Sequence, residues 1–180
     1  MNFRLLCASA LLLLAVNNAQ TLREDASKAG IMIGAAVNVH YLSEAAYTST
    51  LSREFNMLEP EDATKWESLR PDEKTFNFGD ADRVVEFART HGMKVRGHNL
   101  VWATHNPTWL AHGGYSSQKL FALLHDHISH VAGHFHDKVF AWDVVNEAFD
   151  EKGNLRDSIW YNQPGIGVGS GNAYIEQAFR

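Results

Sequence analysis

Short apolar runs and longer segments of helical spacing alternate along this chain, and the alternation predicts its fold. Ile31 to Val39 is a run of small and apolar residues, and Asn56-Met57-Leu58-Glu59 is a shorter one. Lys94 to Val101 and Val139 to Val145 supply two more. Runs of this length bounded by turn residues predict buried strands. Between them the apolar residues recur every three or four positions. Val84, Val85, Phe87 and Ala88 share one face of a helix from about Asp80 to His91, stopped by Gly92. Leu120, Leu123, Leu124, Ile128 and Val131 do the same for a long helix beginning at Ser117. Ser43 to Phe55 is a third helix, and Thr21-Leu22-Arg23-Glu24 has the form of a capping box opening a short one that Gly30 ends. Trp66 to Gly79, with Pro71 and alternating Phe76 and Phe78, reads as an ordered loop. After Gly165, Gly167, Gly169 and Gly171, Asn172 is positioned to cap a last helix running to Arg180.

Strands alternating with helices imply a parallel sheet with right-handed crossovers. Two α/β architectures compete, the doubly wound sheet and the (β/α)8 TIM barrel. Val37-Asn38-Val39-His40 stands where a dinucleotide fold has its glycine-rich turn, which disfavours the first. Polar and aromatic residues at the ends of several strands favour the second. A full barrel takes about 250 residues. The 180 residues here hold only the first four βα units.

The first residues change the expected setting. Arg4 followed by the apolar stretch Leu5 to Val16 reads as a secretory signal. It is shorter than the ~20 residues a membrane span needs. Cleavage after Ala19 divides the chain into a signal, 1–19, and a domain, 20–180. It also removes Cys7, the only cysteine, so disulfide and thiolate chemistry are excluded. The expected product is secreted and has no membrane attachment. A net charge of −5 without a basic run argues against nucleic acid and for a neutral or mildly acidic substrate.

The predicted strand ends collect chemistry on one face. Strand two leads into Glu61-Asp62-Ala63-Thr64-Lys65-Trp66, strand three ends in His98-Asn99-Leu100-Val101-Trp102, and strand four in Asn146-Glu147. Carboxylates, an amide and an ammonium suit a polyhydroxylated ligand, and the indoles of Trp66 and Trp102 offer flat apolar surface to sugar rings. A glycosidase needs two carboxylates, about 5–5.5 Å apart for retention or about 6.5–9.5 Å for inversion. Asp143 and Glu147 lie four residues apart on one strand, roughly 13 Å at about 3.3 Å per residue. Glu61 is two strands from Glu147, roughly 10 Å away, and suits hydroxyl binding better. His125, His127, His130, His134 and His136 crowd one helix, but no His-Glu-x-x-His pattern or cysteine accompanies them. They read as a solvated face. No metal and no cofactor is expected.

At this point the residues resemble a known family. Trp142-Asp143-Val144-Val145-Asn146-Glu147-Ala148, Lys94-Val95-Arg96-Gly97-His98 and Leu100-Val101-Trp102 look like the glycoside hydrolase family 10 endo-β-1,4-xylanases. So do Pro60 to Glu67, Phe76-Asn77-Phe78, Gly153-Asn154-Leu155-Arg156 and Tyr174 to Phe179. The resemblance implies a TIM barrel that hydrolyses xylan with retention of configuration. Glu147 would be the general acid/base, and Asn146 would hydrogen-bond the sugar hydroxyl beside the reacting carbon. Glu61, Asp62, Lys65, His98 and Trp102 would line the subsites on the non-reducing side, where xylan or a xylo-oligosaccharide binds. Two positions depart from the family: Asp62 replaces the usual asparagine and Ala103 a frequent histidine. The first exchanges an amide that donates and accepts for a carboxylate that only accepts.

The resemblance also implies a glutamate nucleophile on strand seven, and the sequence runs only through strand four. Two expectations follow. Either these residues are the N-terminal half of a xylanase, inactive by themselves, or they form a catalytically silent, sugar-binding half barrel. In both, strands one and four are open apolar edges that favour self-association.

Overall fold

The computed structural model describes residues 20–166 and 172–180. The signal sequence expected in residues 1–19 lies outside them. In chain order the elements are α1 (Leu22–Ala29), β1 (Gly34–Val37), α2 (Ala45–Glu54), β2 (Met57–Pro60), α3 (Trp66–Leu69) and α4 (Gly79–Thr90). Then come β3 (Lys94–Trp102), α5 (Thr108–Ala111), α6 (Ser117–His134), β4 (Ala141–Asn146) and α7 (Ala173–Ala178).

The four strands pair in parallel in the order β1-β2-β3-β4. Consecutive order without reversal is an arc of barrel wall; a doubly wound sheet reverses at its switch point. Side chains alternate across such a wall. Val37, Leu58, Val95 and Val101 are buried in the main core, which includes Val84, Ala88, Leu120 and Leu124 from α4 and α6. The opposite, concave face carries Glu59, Arg96, His98 and Asp143, which pair with one another.

Local chemistry explains the ends of α1 and β1. Thr21 caps α1 by accepting from the Glu24 N–H, and the Glu24 carboxylate accepts the Thr21 N–H in return. Gly30 closes the helix at φ 69°, a left-handed conformation glycine adopts without steric cost. The first strand is shorter than the apolar run suggests. The Asn38 side chain accepts the His40 N–H and turns the chain into a 3-10 segment, Val39–Ser43. Helix α3 arises in a stretch read as loop, and α5 in one given no element, because four residues are too few for an apolar period to register. Asn172 precedes α7 but makes no side-chain capping hydrogen bond, so that part of the expectation fails.

Among the α6 histidines, His130 is exposed as expected, but His127 does not belong to a solvated face. His127 falls on the same helical stripe as Leu120, Leu123, Leu124 and Val131, and its side chain is fully buried. It lies flat on Trp66, with 3.7 Å between ring centroids. His130 stacks on Phe76, while His134 stacks on Phe78 and contacts the Asp82 carboxylate at 2.7 Å. His130 and His134 thus face different partners, so the i, i+4 pair does not converge.

Gly97 shows how tightly β3 and β4 fit. It pairs with Trp142, and a methyl group added there would lie 2.2 Å from the indole ring. Gly97→Ala is expected to destabilise the protein by about 1–3 kcal/mol, because the ring must leave its place. Gly133→Ala, in α6, meets nothing within 4 Å and should be neutral or stabilising. Thermal unfolding of the two variants checks the contrast.

Candidate active site

Parallel pairing brings the C-terminal ends of β2, β3 and β4 to one rim. Register does the finer work: His98 sits opposite Asp143, and Trp102 opposite Asn146. Glu147 follows immediately, exposed, at φ 46°, a conformation uncommon for a residue with a side chain. This turn carries its carboxylate back to β3. The Trp102 Nε1–H donates to Glu147 Oε2 at 3.0 Å. The indole and carboxylate read from separate strand ends are thus in direct contact.

On the β2 side, Lys65 donates to the Asp62 carboxylate at 2.5 Å, and its ammonium lies 5.3 Å from the Trp102 ring centroid. His98 stands edge-on to the same indole, with 5.9 Å between centroids. Asp62, Lys65, Trp102, His98 and Glu147 therefore form one continuous rim, with Asn146 at the foot of Glu147. Glu61 stands apart. It is exposed on the β1 side, near the Tyr47 phenol. Burial, with a smaller push from the Glu61 charge, raises that phenol above its usual pKa.

Trp66 does not join the rim. It is 3% exposed and packed between His127 and Trp160, so the expectation that its indole meets a sugar is overturned. Its neighbours in sequence point both ways along a short helix. Trp66 and Leu69 take the core side, leaving Lys65 at the N-cap on the cleft side.

Beneath the rim lies a layer that the spacing argument left aside. Asp143 is no catalytic partner for Glu147; its carboxylate serves the strand next to it. The Arg96 guanidinium donates to Asp143 Oδ1 from Nε at 2.8 Å and from Nη2 at 2.6 Å. These bonds raise the Arg96 pKa further above an already high value. The other oxygen, Oδ2, lies 2.9 Å from His98 Nδ1. Thr64 fixes the His98 backbone, donating its hydroxyl to the carbonyl at 2.5 Å and accepting the N–H at 3.2 Å. With backbone and ring both held, the second ring nitrogen, Nε2, has only a long contact of 3.5 Å with the Asn99 amide nitrogen. Glu59, His98 and Asp143 have ligand-type atoms within 4.8 Å of one another, a cluster that would suit a cation. Arg96 already supplies the positive charge, with Glu59 3.5 Å from its Nε. Arg96, Thr64 and His105 were all missed in the sequence. For Arg96 a signal existed, since it lies two residues from His98 and so on the same strand face.

The wall of parallel strands with chemistry at its C-terminal rim is that of a (β/α)8 barrel, with four of its strands present among the described residues. The sequence model of glycosyl hydrolase family 10 matches residues 21–180, and the chain belongs to that family. A β-1,4-xylanase of Dictyoglomus thermophilum is 44% identical over 149 residues, which are 82% of this chain and 40% of the relative. The crystal structure of native xylanase 10B from Thermotoga maritima superposes with a TM-score of 0.81 at 41% identity, covering 89% of this chain and 49% of that one. Xylanase 10B of Thermotoga petrophila, solved with xylobiose, gives the same TM-score at 40% identity, covering 89% and 48%. The chain therefore spans about half the length of the relatives it matches.

Proposed function

We propose that this chain supplies the acid/base half of the active site of a retaining endo-β-1,4-xylanase. The observation that carries the reading is the exposed Glu147 carboxylate at the end of β4, anchored to Trp102 through one oxygen. In the first step Glu147 protonates the departing glycosidic oxygen. In the second it takes a proton from the water that attacks the sugar–enzyme bond, and so returns to its starting state. The covalent bond is made by a second carboxylate. Among the described residues no carboxylate is held beside Glu147: Asp143 is held by Arg96 and His98, and Glu61 lies on the far side of the rim. That partner belongs to the strand-seven position of the full barrel.

Asn146, His98, Lys65, Asp62 and Trp102 bind the sugar on the non-reducing side, with Glu61 contributing at the outer edge. His98 presents Nε2 to a hydroxyl, Lys65 and Asp62 offer a donor and an acceptor together, and the Trp102 indole presents apolar area. The bound xylobiose in the Thermotoga petrophila relative supports a xylo-oligosaccharide as ligand. We propose in addition that residues 1–19 are a secretory signal, read from Arg4 and the apolar stretch Leu5 to Val16, which would bring the protein to polymeric xylan outside the cell.

Following the anomers released from xylohexaose by NMR tests the reading in the protein that carries this chain. Retention predicts that the β-anomer of the new reducing end appears first and then mutarotates. Initial α-anomer would overturn the retaining mechanism. Saturable binding without any new reducing ends would favour the silent sugar-binding half barrel.

A further inference from the structure

His105 lies outside every motif that points to xylan, yet it makes the flattest contact with the rim's central indole. Its ring stacks on Trp102 with centroids 4.3 Å apart and planes 26° from parallel. It reaches that place through a left-handed backbone conformation, φ 52°, uncommon for a residue with a side chain. Its Nδ1 lies 3.1 Å from the Glu67 carboxylate, and Glu67 projects from α3, whose Trp66 and Leu69 are buried. The imidazole is therefore tied to a helix that the core holds in place.

Trp102 has its backbone fixed elsewhere. Its carbonyl accepts from the Trp160 Nε1–H at 2.9 Å and from the Asn106 side chain at 3.2 Å. Neither bond sets the direction of the indole. That direction decides whether Nε1–H meets Glu147, and the ring is in contact with Lys65, His98 and His105. Lys65 reaches it only through a flexible chain, and His98 stands edge-on. His105 is the neighbour that lies against its face and is itself anchored.

We propose that His105 is a positioning residue: tethered by Glu67, it holds the Trp102 indole in the orientation that donates Nε1–H to Glu147. The consequence for catalysis rests on Glu147 being the acid/base, whereas the clamp itself concerns only the four side chains.

The indole Nε1–H resonance of Trp102, assigned by its loss in Trp102→Phe, reads the clamp directly in the full chain. His105→Ala is expected to shift that resonance and to speed its exchange with water about 10-fold, the effect of losing roughly one net hydrogen bond. His105→Phe, which keeps a ring to stack, should restore most of the protection. Glu67→Gln should fall between them. The Trp66 and Trp160 indole resonances, reporting the core, should stay where they are in all three variants. An unchanged Trp102 N–H in His105→Ala, or no rescue by phenylalanine, would overturn the clamp. Should His105→Ala fail to fold, Glu67→Gln, an exposed substitution, decides: an unchanged Trp102 N–H there also overturns it. A xylotriose titration of the unaltered protein is scored separately. Lack of binding there would sink the xylanase reading while the N–H comparison still decides the role of His105.

Discussion

In the protein that carries this chain, and with Glu147 in the acid/base role proposed for it, Glu147→Gln is expected to lower kcat on xylan by about 10²- to 10⁴-fold, the range general acid–base catalysis contributes. Glutamine keeps the size of the side chain and can still accept the Trp102 N–H, so stability should be nearly unchanged. What it loses is the transferable proton. The substrate makes the test specific. A xylan chain leaves as a sugar alkoxide and needs protonation, whereas a nitrophenolate leaves readily without it. Cleavage of a nitrophenyl xylobioside should therefore lose far less in the first step than cleavage of xylan. The variant would then stall at hydrolysis of the glycosyl-enzyme, where Glu147 acts as base, and a burst of nitrophenolate should precede slow turnover. Equal losses on both substrates, with no burst, would mean that Glu147 does not carry the proton.

The second large effect concerns the core. Burial, reinforced by the positive charge of Arg70 and then by His130, holds the His127 imidazole well below its usual pKa. Among the described residues neither of its ring nitrogens has a hydrogen-bond partner, so nothing in the folded chain favours a proton there. The unfolded chain takes up that proton near pH 6.5 and the folded one does not. Unfolding then gains protons, and stability falls with decreasing pH. The loss begins near pH 6.5 and grows by about 1.4 kcal/mol per pH unit until the folded pKa is reached. Paired carboxylates act in the same direction but lower on the scale. Glu73, kept below its usual pKa by Lys119 and Tyr115, contributes only as pH falls below its ordinary value, about 4.3. Between pH 6.5 and 4.5 the carboxylate share is small, and variants without the imidazole separate the share of His127 from the rest.

His127→Phe keeps a flat ring against Trp66 and removes the titration. Its melting temperature should track the unaltered protein at pH 7.5 and exceed it increasingly toward pH 4.5. His127→Leu, which also fills the site without titrating, should flatten the profile in the same way. Parallel pH profiles for all three proteins would show that His127 does not set the acid limit.

Much of the architecture was legible from hydrophobic spacing. Four apolar runs and the periodic faces of α4 and α6 reflect burial against a sheet, and burial on this scale leaves a 2.0- or 3.6-residue period in any sequence. The last turn of logic was also local: Asn146-Glu147 after Trp142 to Val145 marks a strand end, and strand ends in parallel barrels share one rim. His127 was open to the same reasoning, since it continues the stripe of Leu124 and Val131. Its polarity hid it, because a histidine is more often exposed than buried. Trp66 was misplaced for the opposite reason. Its neighbours Lys65 and Glu67 face solvent and cleft, and a helix of four residues gives no period from which to see that Trp66 turns inward.

By itself, then, the sequence determined the order of the main elements, the parallel sheet, the shared rim and the residue types that line it. These follow from local periodicity and from handedness, which operate over a few residues at a time. Only the tertiary structure decided which groups touch. Trp102 reaches Glu147 across 45 residues, Arg96 and His98 divide the two oxygens of Asp143, and His105, in the loop after β3, rests on Trp102 while bound to a glutamate of α3. Such contacts depend on strand register and on single backbone angles at Glu147 and His105. A one-residue change in register would send every one of those side chains to the other face.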